Sequence, residues 1–208
     1  QRIFKRHIAD SRKAFGEHSS MLILVASQKE AAAVERAEFG YRRIYSKPFE
    51  VWKNDTRVLI ITGIGLVNAS LAFSWAVDNI DFDKALNIGA AGATSALENS
   101  KELCGRFFKI AKVNCLEPYN FGELELAGEG ASLVTSSRPV STQKQREYAG
   151  KFGQLVDMEG YAIARAAELF GKKLEMIKML TDFSENCDIS ENITLLRDRL
   201  ADCEGIWI

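Results

Sequence analysis

Histidine is scarce in this chain of 208 residues. The only two, His7 and His18, lie within the first twenty positions, and none follows Met21. A Ser-His-Asp triad, a Cys-His dyad and a zinc site with histidine ligands all need this side chain. Beyond the first twenty residues, any chemistry must therefore use carboxylates, lysines, hydroxyls or backbone groups.

Long apolar runs, paired cysteines and excess charge are missing as well. No apolar run approaches the roughly 20 residues that span a bilayer. The four cysteines form no C-x-x-C pair, which favours a reducing cytoplasm over a disulfide scaffold. The net charge of −1 gives no indication of nucleic-acid binding. We therefore expect a cytoplasmic protein without a membrane or nucleic-acid partner, and we find no pattern that predicts a metal site or a cofactor.

The first twenty residues differ from the rest in charge. Five basic and two acidic side chains give them +3, so the remainder carries −4 of the total charge of −1. They also lack the long apolar segment of a signal peptide. We expect residues 1–20 to be a basic extension or an artificial leader, and residues 21–208 to form a single catalytic domain, since 47% hydrophobic residues suffice for one core.

Short apolar runs alternate with helical patterns along the chain. Met21–Ala26 and Lys84–Ile88 are predicted strands, and Leu66–Asn79 is a predicted helix. Phe49–Ile61 contains two alternating runs around the turn N-D-T, which is typical of a hairpin. This order predicts an α/β fold with a mostly parallel sheet, which the hairpin makes mixed.

Four segments between and after these elements also show a pattern. Gly105–Asn114 alternates as a strand, and residues 118–130 form an acidic, glycine-containing loop, the best candidate for a mobile active-site loop. A polar helix is predicted from about Thr142, and a last helix at 190–200.

The stretch from Val156 to Asp182 combines a helix with a strand. Apolar residues recur at helical spacing from Met158 to Phe170, and Gly171 stands where a left-handed residue ends a helix. Asp157 is a candidate cap for the start of this helix. The segment that follows, 174–180, is a predicted buried strand.

Three carboxylates stand at the ends of predicted elements. Glu30 follows the first strand, Glu159 lies at the entrance of the helix, and Asp182 comes just past the last strand. Ligands of open α/β sheets bind at the carboxyl ends of the strands. Each carboxylate is therefore a candidate functional group, while a helix cap or a solvated side chain is the simpler interpretation.

Glycine follows two of the predicted strands. The segment 62–68 enters a G-x-G turn before a helix, but Asn68 replaces the third glycine of a dinucleotide-binding fingerprint. The segment 89–93 contains only glycine and alanine, which leaves room for a ligand and exposes amide groups. A nicotinamide-dependent oxidoreductase is therefore disfavoured.

Four motifs in order resemble those of one family. G-I-G-x-V-N-A at 63–69, N-I-G-A-A-G at 87–92, V-D-M-E-G at 156–160 and T-D at 181–182 are similar to the nucleoside phosphorylase/nucleosidase family. The chain is most similar to its 5′-methylthioadenosine/S-adenosylhomocysteine nucleosidases and futalosine hydrolases. The resemblance implies a three-layer α/β/α fold around a twisted, partly closed mixed sheet. It also implies cleavage of a purine–ribose bond without a cofactor.

The resemblance also implies roles for particular residues. Asp182 corresponds to the general acid that protonates N7 of the base, and Glu30 to the carboxylate that activates water. Glu159 corresponds to the acid that holds the ribose hydroxyls, and Met158 to the side chain packed on the sugar. The remaining implied substrate-binding residues are Thr181, Ala90, Gly92, Ile64 and Val140.

Some positions depart from the family pattern. Pro139 or Val140 stands where the nucleosidases place an aromatic residue on the purine, and Tyr119 or Phe121 could substitute for it. Ala90 stands where they often have serine. The chemistry nevertheless suits the residues present, because cleavage needs a proton donor, a base for water and an acceptor for sugar hydroxyls.

The substrate is predicted to be futalosine or aminodeoxyfutalosine, in menaquinone biosynthesis. Both carry a benzoate, for which Arg138 could supply a counter-charge. The alternatives are methylthioadenosine or S-adenosylhomocysteine as substrate, a phosphorylase, and a nucleoside-binding protein without catalysis. A phosphorylase is disfavoured because segments 63–68 and 87–92 contain no arginine or lysine. We also expect a homodimer, since Leu71, Phe73 and Trp75 spread around one helix.

Overall fold

The computed structural model describes residues 20–31, 39–117 and 122–183, together with Arg199. Residues before Ser20, residues 32–38, the loop residues 118–121 and the last predicted helix lie outside these ranges. Within them the elements are β1 (Ser20–Val25), β2 (Arg42–Tyr45), β3 (Glu50–Lys53), β4 (Arg57–Ile61), α1 (Leu66–Asn79), β5 (Phe82–Ala93), α2 (Ser100–Leu103), β6 (Phe107–Cys115), β7 (Leu124–Glu125), β8 (Ala131–Thr135), α3 (Gln143–Ala149), β9 (Leu155–Asp157), α4 (Gly160–Leu169) and β10 (Lys173–Asp182).

All the strands belong to one sheet, in the order β10-β6-β8-β9-β5-β1-β4-β3-β2, with β7 on β6. Because β10 also pairs with β5, strands β5, β10, β6, β8 and β9 close into a ring, and β1, β4, β3 and β2 extend from it. The partly closed mixed sheet is therefore confirmed. Parallel ladders contain most of the paired residues, as the sequence predicted. The hairpin is antiparallel, and closure of the ring adds two antiparallel pairs that were not predicted, β9 with β5 and β10 with β6.

Strand β5 positions the pocket described below. The prediction ended this strand at Ile88, but it continues through the glycine and alanine residues to Ala93. One edge of β5 pairs with β1 as far as Asn87 and with β9 from Gly92 onward. Between these two residues that edge pairs with neither strand. Neighbouring strands thus diverge at this point, and such switch points are where α/β sheets bind ligands.

Apolar side chains cover both faces of the sheet. Leu22 and Leu24 of β1 belong to the main core, which also contains the buried sides of α1 and α4. Ile23 and Val25 point the other way, into a second cluster that includes Phe39. This alternation follows from the two-residue period of a strand. The sheet therefore lies between two apolar layers, as a three-layer fold requires.

Helix α1 and the hairpin β3–β4 lie where the sequence predicts them. Phe73 of α1 is fully buried, and the ring centroid of Trp75 lies 5.3 Å from that of Tyr45. Phe73 and Trp75 therefore pack within this chain. Of the three residues that were expected at a dimer interface, only Leu71, which is 56% exposed, is available to a partner. No helix among the described residues is long and apolar enough to cross a membrane.

Helix α4 begins two residues later than predicted. Met158 precedes it, because residues 155–157 form a short strand that pairs with β5 and β8. The carboxylate of Asp157 accepts the first helical N–H, that of Gly160, at 2.8 Å, so it does help to start the helix. The far end of the predicted apolar face is not buried, since Leu169 and Phe170 are exposed. Gly171 has the expected left-handed conformation, with φ of 63°.

Candidate active site

A pocket of about 270 Å³ opens at the switch point, beside the carboxyl ends of β1, β5 and β10. It is slightly smaller than the roughly 300–1,000 Å³ of most ligand sites. The pocket is lined by all nine candidate catalytic and substrate-binding residues of the sequence, namely Glu30, Ile64, Ala90, Gly92, Val140, Met158, Glu159, Thr181 and Asp182. The fold thus brings these residues together, while their chemical roles remain predictions.

Glu30 is buried in the turn after β1, and both of its carboxylate oxygens accept hydrogen bonds. Oε1 accepts the N–H of Ala90 at 3.0 Å, at the place where one edge of β5 pairs with neither β1 nor β9. Oε2 accepts the N–H and the hydroxyl of Ser27 at 2.9 and 3.1 Å. These three donors fix the orientation of an acceptor-only carboxylate.

Glu159 lines the same pocket from the position before α4. Its Oε1 accepts the N–H of Gly65 at 2.7 Å, and Gly65 has a positive φ of 96° that glycine adopts without strain. Burial of the carboxyl group, reinforced by the negative charge of Asp157, raises the pKa of Glu159 to about 7. Glu159 can therefore change its charge near neutral pH.

Asp182 is the last residue of β10 rather than a residue just beyond it. Its Oδ2 lies 2.7 Å from a guanidinium nitrogen of Arg146, which comes from α3 and is 3% exposed. The same guanidinium donates to the carbonyl of Ala93 at 2.5 Å. No sequence pattern indicates a role for Arg146, because nothing in a polar helix marks one arginine as buried.

Lys178 is a second buried cation that the sequence did not assign to the site. It is 2% exposed, and its Nζ lies 2.8 Å from Oδ2 of Asp157. Burial by itself lowers the pKa of Lys178, but the charges of Asp157 and Glu159 more than offset this and raise the pKa above its ordinary value. A lysine in a largely apolar strand was the available signal, because a buried charge requires a partner.

The glycines of β5 leave space for two of these carboxylates. A Cβ atom at Gly89 would lie 2.7 Å from Oε1 of Glu30, and one at Gly92 would lie 2.6 Å from Oδ2 of Asp182. Both separations are shorter than a normal carbon–oxygen contact. The small residues therefore allow the carboxylates to lie directly against the strand, within the space that residues 89–93 were predicted to leave for a ligand.

Residues 138–140 form the wall between this pocket and a larger one of about 690 Å³. Val140 faces both, and no aromatic side chain lines the smaller pocket among the described residues. Tyr119 and Phe121, the suggested substitutes for a stacking residue, lie outside those ranges. Within the described part of the chain, no group of three or more His, Cys, Asp or Glu side chains is placed to hold a metal ion.

The raised pKa of Glu159 predicts a pH-dependent stability. Between the ordinary value of 4.5 and about 7, the unfolded chain loses the proton that the folded protein retains. The free energy of unfolding should therefore fall as pH rises through this window, by up to about 3 kcal/mol. Glu159→Gln has no such proton, so its stability relative to wild type should rise from pH 4.5 to pH 7. Denaturant unfolding of both proteins at several pH values measures this, and parallel pH profiles would contradict the assignment.

The closed mixed sheet, its helical layers and the carboxylate pocket at the switch point define a fold of the nucleoside phosphorylase type. Solved structures with this fold include a 5′-methylthioadenosine/S-adenosylhomocysteine nucleosidase from Helicobacter pylori, with a TM-score of 0.78 at 16% identity over 92% of this chain and 98% of that one. The 5′-methylthioadenosine nucleosidase of Arabidopsis thaliana gives 0.75 at 19% identity, over 91% and 94% of the two chains. The futalosine hydrolase of Helicobacter pylori gives 0.73 at 15% identity, over 89% and 98%.

These similarities confirm the fold that the four motifs implied. At such low identity they show the fold alone, and the nucleosidases and the futalosine hydrolase match it about equally well. No protein-family model matches the sequence, and no curated protein does either. Assignment of an activity therefore depends on the pocket itself.

Proposed function

We propose that this chain is a purine nucleoside N-glycosidase that hydrolyses the bond between the purine and the ribose. The observation that carries the proposal is the convergence of Glu30, Glu159 and Asp182 on one pocket at the switch point. Each comes from a different part of the chain, and each is held by at least one hydrogen bond. The similarity of the fold to solved nucleosidases supports this activity.

Asp182 acts in this mechanism on the leaving base. As the bond from C1′ to N9 breaks, its electron pair passes to the purine, and N7 takes a proton from the carboxyl group of Asp182. The carboxylate that remains is stabilised by the guanidinium of Arg146, which favours the transfer once Asp182 has taken up a proton.

Glu30 acts on the opposite side of the sugar. Loss of the base leaves positive charge on the ribose ring, as in other glycosidases. A water molecule bonds to C1′ and gives one proton to Glu30. The donors from Ser27 and Ala90 hold the carboxylate in place without supplying it with a proton of their own.

The remaining residues bind the substrate. Glu159 accepts hydrogen bonds from the ribose hydroxyls, and Met158 packs against the sugar. Val140 contacts the base, while Ala90 and Gly92 leave room beside it. Thr181 supports Asp182, since its hydroxyl lies 3.2 Å from Oδ1 of that residue, and Ile64 lies at the mouth, where it is 60% exposed.

The charges around the pocket favour hydrolysis over phosphorolysis. Four lining residues are carboxylates, and only Arg138 is a cation. Lys178 and Arg146 lie behind the lining and are each engaged by a carboxylate. Such a lining stabilises a positively charged sugar and repels a phosphate dianion.

The test of the proposed activity is base release from purine nucleosides in phosphate-free buffer. We expect free base and free ribose derivative as products, at a rate that added phosphate does not change. Chromatography of the products distinguishes the outcomes. Strict dependence on phosphate, with ribose 1-phosphate as product, would show a phosphorylase instead, and binding without cleavage would favour a non-catalytic nucleoside-binding protein.

Within this activity we propose futalosine or its 6-amino form as substrate, which would place the chain in menaquinone biosynthesis. Arg138 lines both the catalytic pocket and the larger one beside it, and Lys144 also lines the larger one. These two cations and the additional volume suit a substituent that ends in a carboxylate. Methylthioadenosine, whose small apolar substituent needs neither, is the second candidate.

The choice of substrate can be tested by kcat/KM for futalosine, its 6-amino form and methylthioadenosine. We expect wild type to prefer one of the first two, and Arg138→Ala to lower kcat/KM for these about tenfold, which corresponds to about 1.4 kcal/mol. Methylthioadenosine should be affected much less. A tenfold preference for methylthioadenosine that Arg138→Ala leaves unchanged would exclude the futalosine assignment and retain the glycosidase.

We also propose that the protein is a homodimer in the cytoplasm. Val67 and Leu71 lie on one face of α1 and are 71% and 56% exposed. Ile64, which precedes the helix and lines the pocket, is 60% exposed. A second copy of the chain on this face would remove apolar surface from water. Light scattering at micromolar concentration measures the mass, and a monomer would contradict the proposal.

A further inference from the structure

Thr135, the last residue of β8, lies behind the lining of the catalytic pocket and is 0% exposed. Its hydroxyl donates to Oδ1 of Asp157 at 2.6 Å and accepts the N–H of Tyr161 at 2.8 Å. A carboxylate only accepts and a backbone N–H only donates, so the direction of both bonds is fixed. One buried hydroxyl therefore ties the end of β8 to the end of β9 and to the first turn of α4.

Asp157 extends this connection. It forms the last register pair of the parallel ladder between β8 and β9, opposite Thr135. Besides the hydroxyl of Thr135, its carboxylate binds the N–H of Gly160 at 2.8 Å and Nζ of Lys178 at 2.8 Å. Three donors surround a side chain that is 1% exposed, which leaves it a single orientation.

The two residues between these anchors, Met158 and Glu159, line the catalytic pocket. Asp157 fixes the chain before them, and the bonds to the N–H groups of Gly160 and Tyr161 fix it after them. The carboxylate of Glu159 is close to this network, since its pKa is raised first by burial and then by the charge of Asp157. The position of Glu159 in the pocket therefore depends on how firmly residues 157–161 are held.

We infer that Thr135 is a positioning residue for the sugar, because it fixes residues 157–161 and so places Glu159 where its carboxylate meets the ribose hydroxyls. The inference rests on the proposed nucleosidase function, in which Glu159 accepts from those hydroxyls. Hydrogen bonds weaken steeply as their distance and angle depart from the optimum. The preference for a ribonucleoside over its 2′-deoxy form should therefore depend on a hydroxyl that does not touch the substrate.

Two substitutions of Thr135 separate this role from packing. Thr135→Val replaces the hydroxyl by a methyl group of similar size, so both hydrogen bonds are lost while the volume is kept. Asp157 keeps its other two donors, Gly160 and Lys178. Thr135→Ser makes the opposite change, because it keeps the hydroxyl and removes the methyl group.

The test is the ratio of the affinities for 7-deazaadenosine and 2′-deoxy-7-deazaadenosine, measured by calorimetry. Neither compound has an N7 atom to protonate, so binding is measured without turnover. We expect wild type to bind the ribonucleoside about tenfold more tightly, as for one hydrogen bond to a charged acceptor. Thr135→Val should lose most of this preference, and Thr135→Ser should retain it.

Thr94→Val is a matched control. The hydroxyl of Thr94 is also buried, donates to the carbonyl of Gly153 at 2.6 Å and accepts the N–H of Ala96 at 3.2 Å, but it makes no bond to residues 157–161. Its loss removes hydrogen bonds of the same kind from another part of the core. The affinity ratio of this variant should stay within about twofold of wild type.

An unchanged ratio in folded Thr135→Val would overturn the inference, because a loss of stability by itself does not distinguish the two sugars. Equal loss of the preference in Thr135→Ser would also overturn it. If Thr135→Val does not fold, a crystal structure of wild type with 7-deazaadenosine decides. Glu159 should then lie within hydrogen-bond distance of a ribose hydroxyl while both bonds of Thr135 persist, and a rearranged turn at 157–161 would overturn the inference.

Failure of the inference and failure of the proposed function give different results. A wild-type protein that prefers the ribonucleoside through Thr135 but cleaves no nucleoside would contradict the proposed function and retain the role of Thr135. A protein that cleaves nucleosides without any preference for the 2′-hydroxyl would retain the proposed function and overturn the inference.

Discussion

Asp182→Asn is expected to lower kcat by about 10²–10⁴-fold, the usual contribution of a general acid. An amide has nearly the shape of the carboxyl group but no proton to give to N7. Its oxygen can still accept from Arg146, whose guanidinium lies 2.7 Å from the native Oδ2. The affinity for a nucleoside should therefore change much less than the rate.

Steady-state kinetics and calorimetry with a non-hydrolysable nucleoside analogue separate these two effects. Asp83→Asn is a matched control, because Asp83 is exposed on β5 and distant from the pocket lining. It should keep wild-type kinetics. A near-normal kcat in Asp182→Asn would show that another group protonates the base.

Glu30→Gln is expected to abolish turnover while the nucleoside stays bound and intact. The amide cannot take a proton from water, so attack on C1′ loses its base. In the glutamine, an NH2 group replaces one of the two carboxylate oxygens, and it then faces the N–H of Ser27 or of Ala90. The side chain therefore loses a hydrogen bond that orients the native carboxylate. The decrease in kcat should therefore equal or exceed the decrease caused by removal of a typical general base.

Glu30→Gln is incubated with a nucleoside that the wild-type protein hydrolyses. Chromatography then measures how much of the nucleoside remains intact. Glu98→Gln changes an exposed carboxylate in the same way and should hydrolyse at the wild-type rate. If Glu30→Gln kept a rate close to wild type, Glu30 would have to be reassigned to substrate binding or to structure.

Local patterns were sufficient for several elements. The hairpin β3–β4 follows from alternation around a turn, and the start of α3 from the hydrogen-bond pattern around its cap, where Thr142 and Gln145 cap each other. Helix α1 was predicted at its observed bounds, 66–79. These patterns involve residues that are close in sequence, so they can be recognised without knowledge of the rest of the fold.

Such local patterns did not predict the second half of β5 or strand β9. The second half of β5 consists of glycine and alanine, which have little intrinsic preference for a strand, and it is extended because β10 and β9 pair with it. Strand β9 contains only three residues and reads as the approach to a helix. Pairing with distant strands decided both, and that pairing also closed the ring and left half of the ladders antiparallel.

The sequence by itself determined which groups could act: carboxylates at the ends of elements, glycines beside them, and no histidine in the core. Only the tertiary structure decided which charges accompany them. Segments 63–68 and 87–92 contain no cation, yet the fold brings Lys178 to within 3.8 Å of a Cβ position at Gly89 and sets Arg146 against Asp182, 36 residues away. Ionic contacts of this kind join residues far apart in sequence, and their strength depends on burial, which no local pattern encodes.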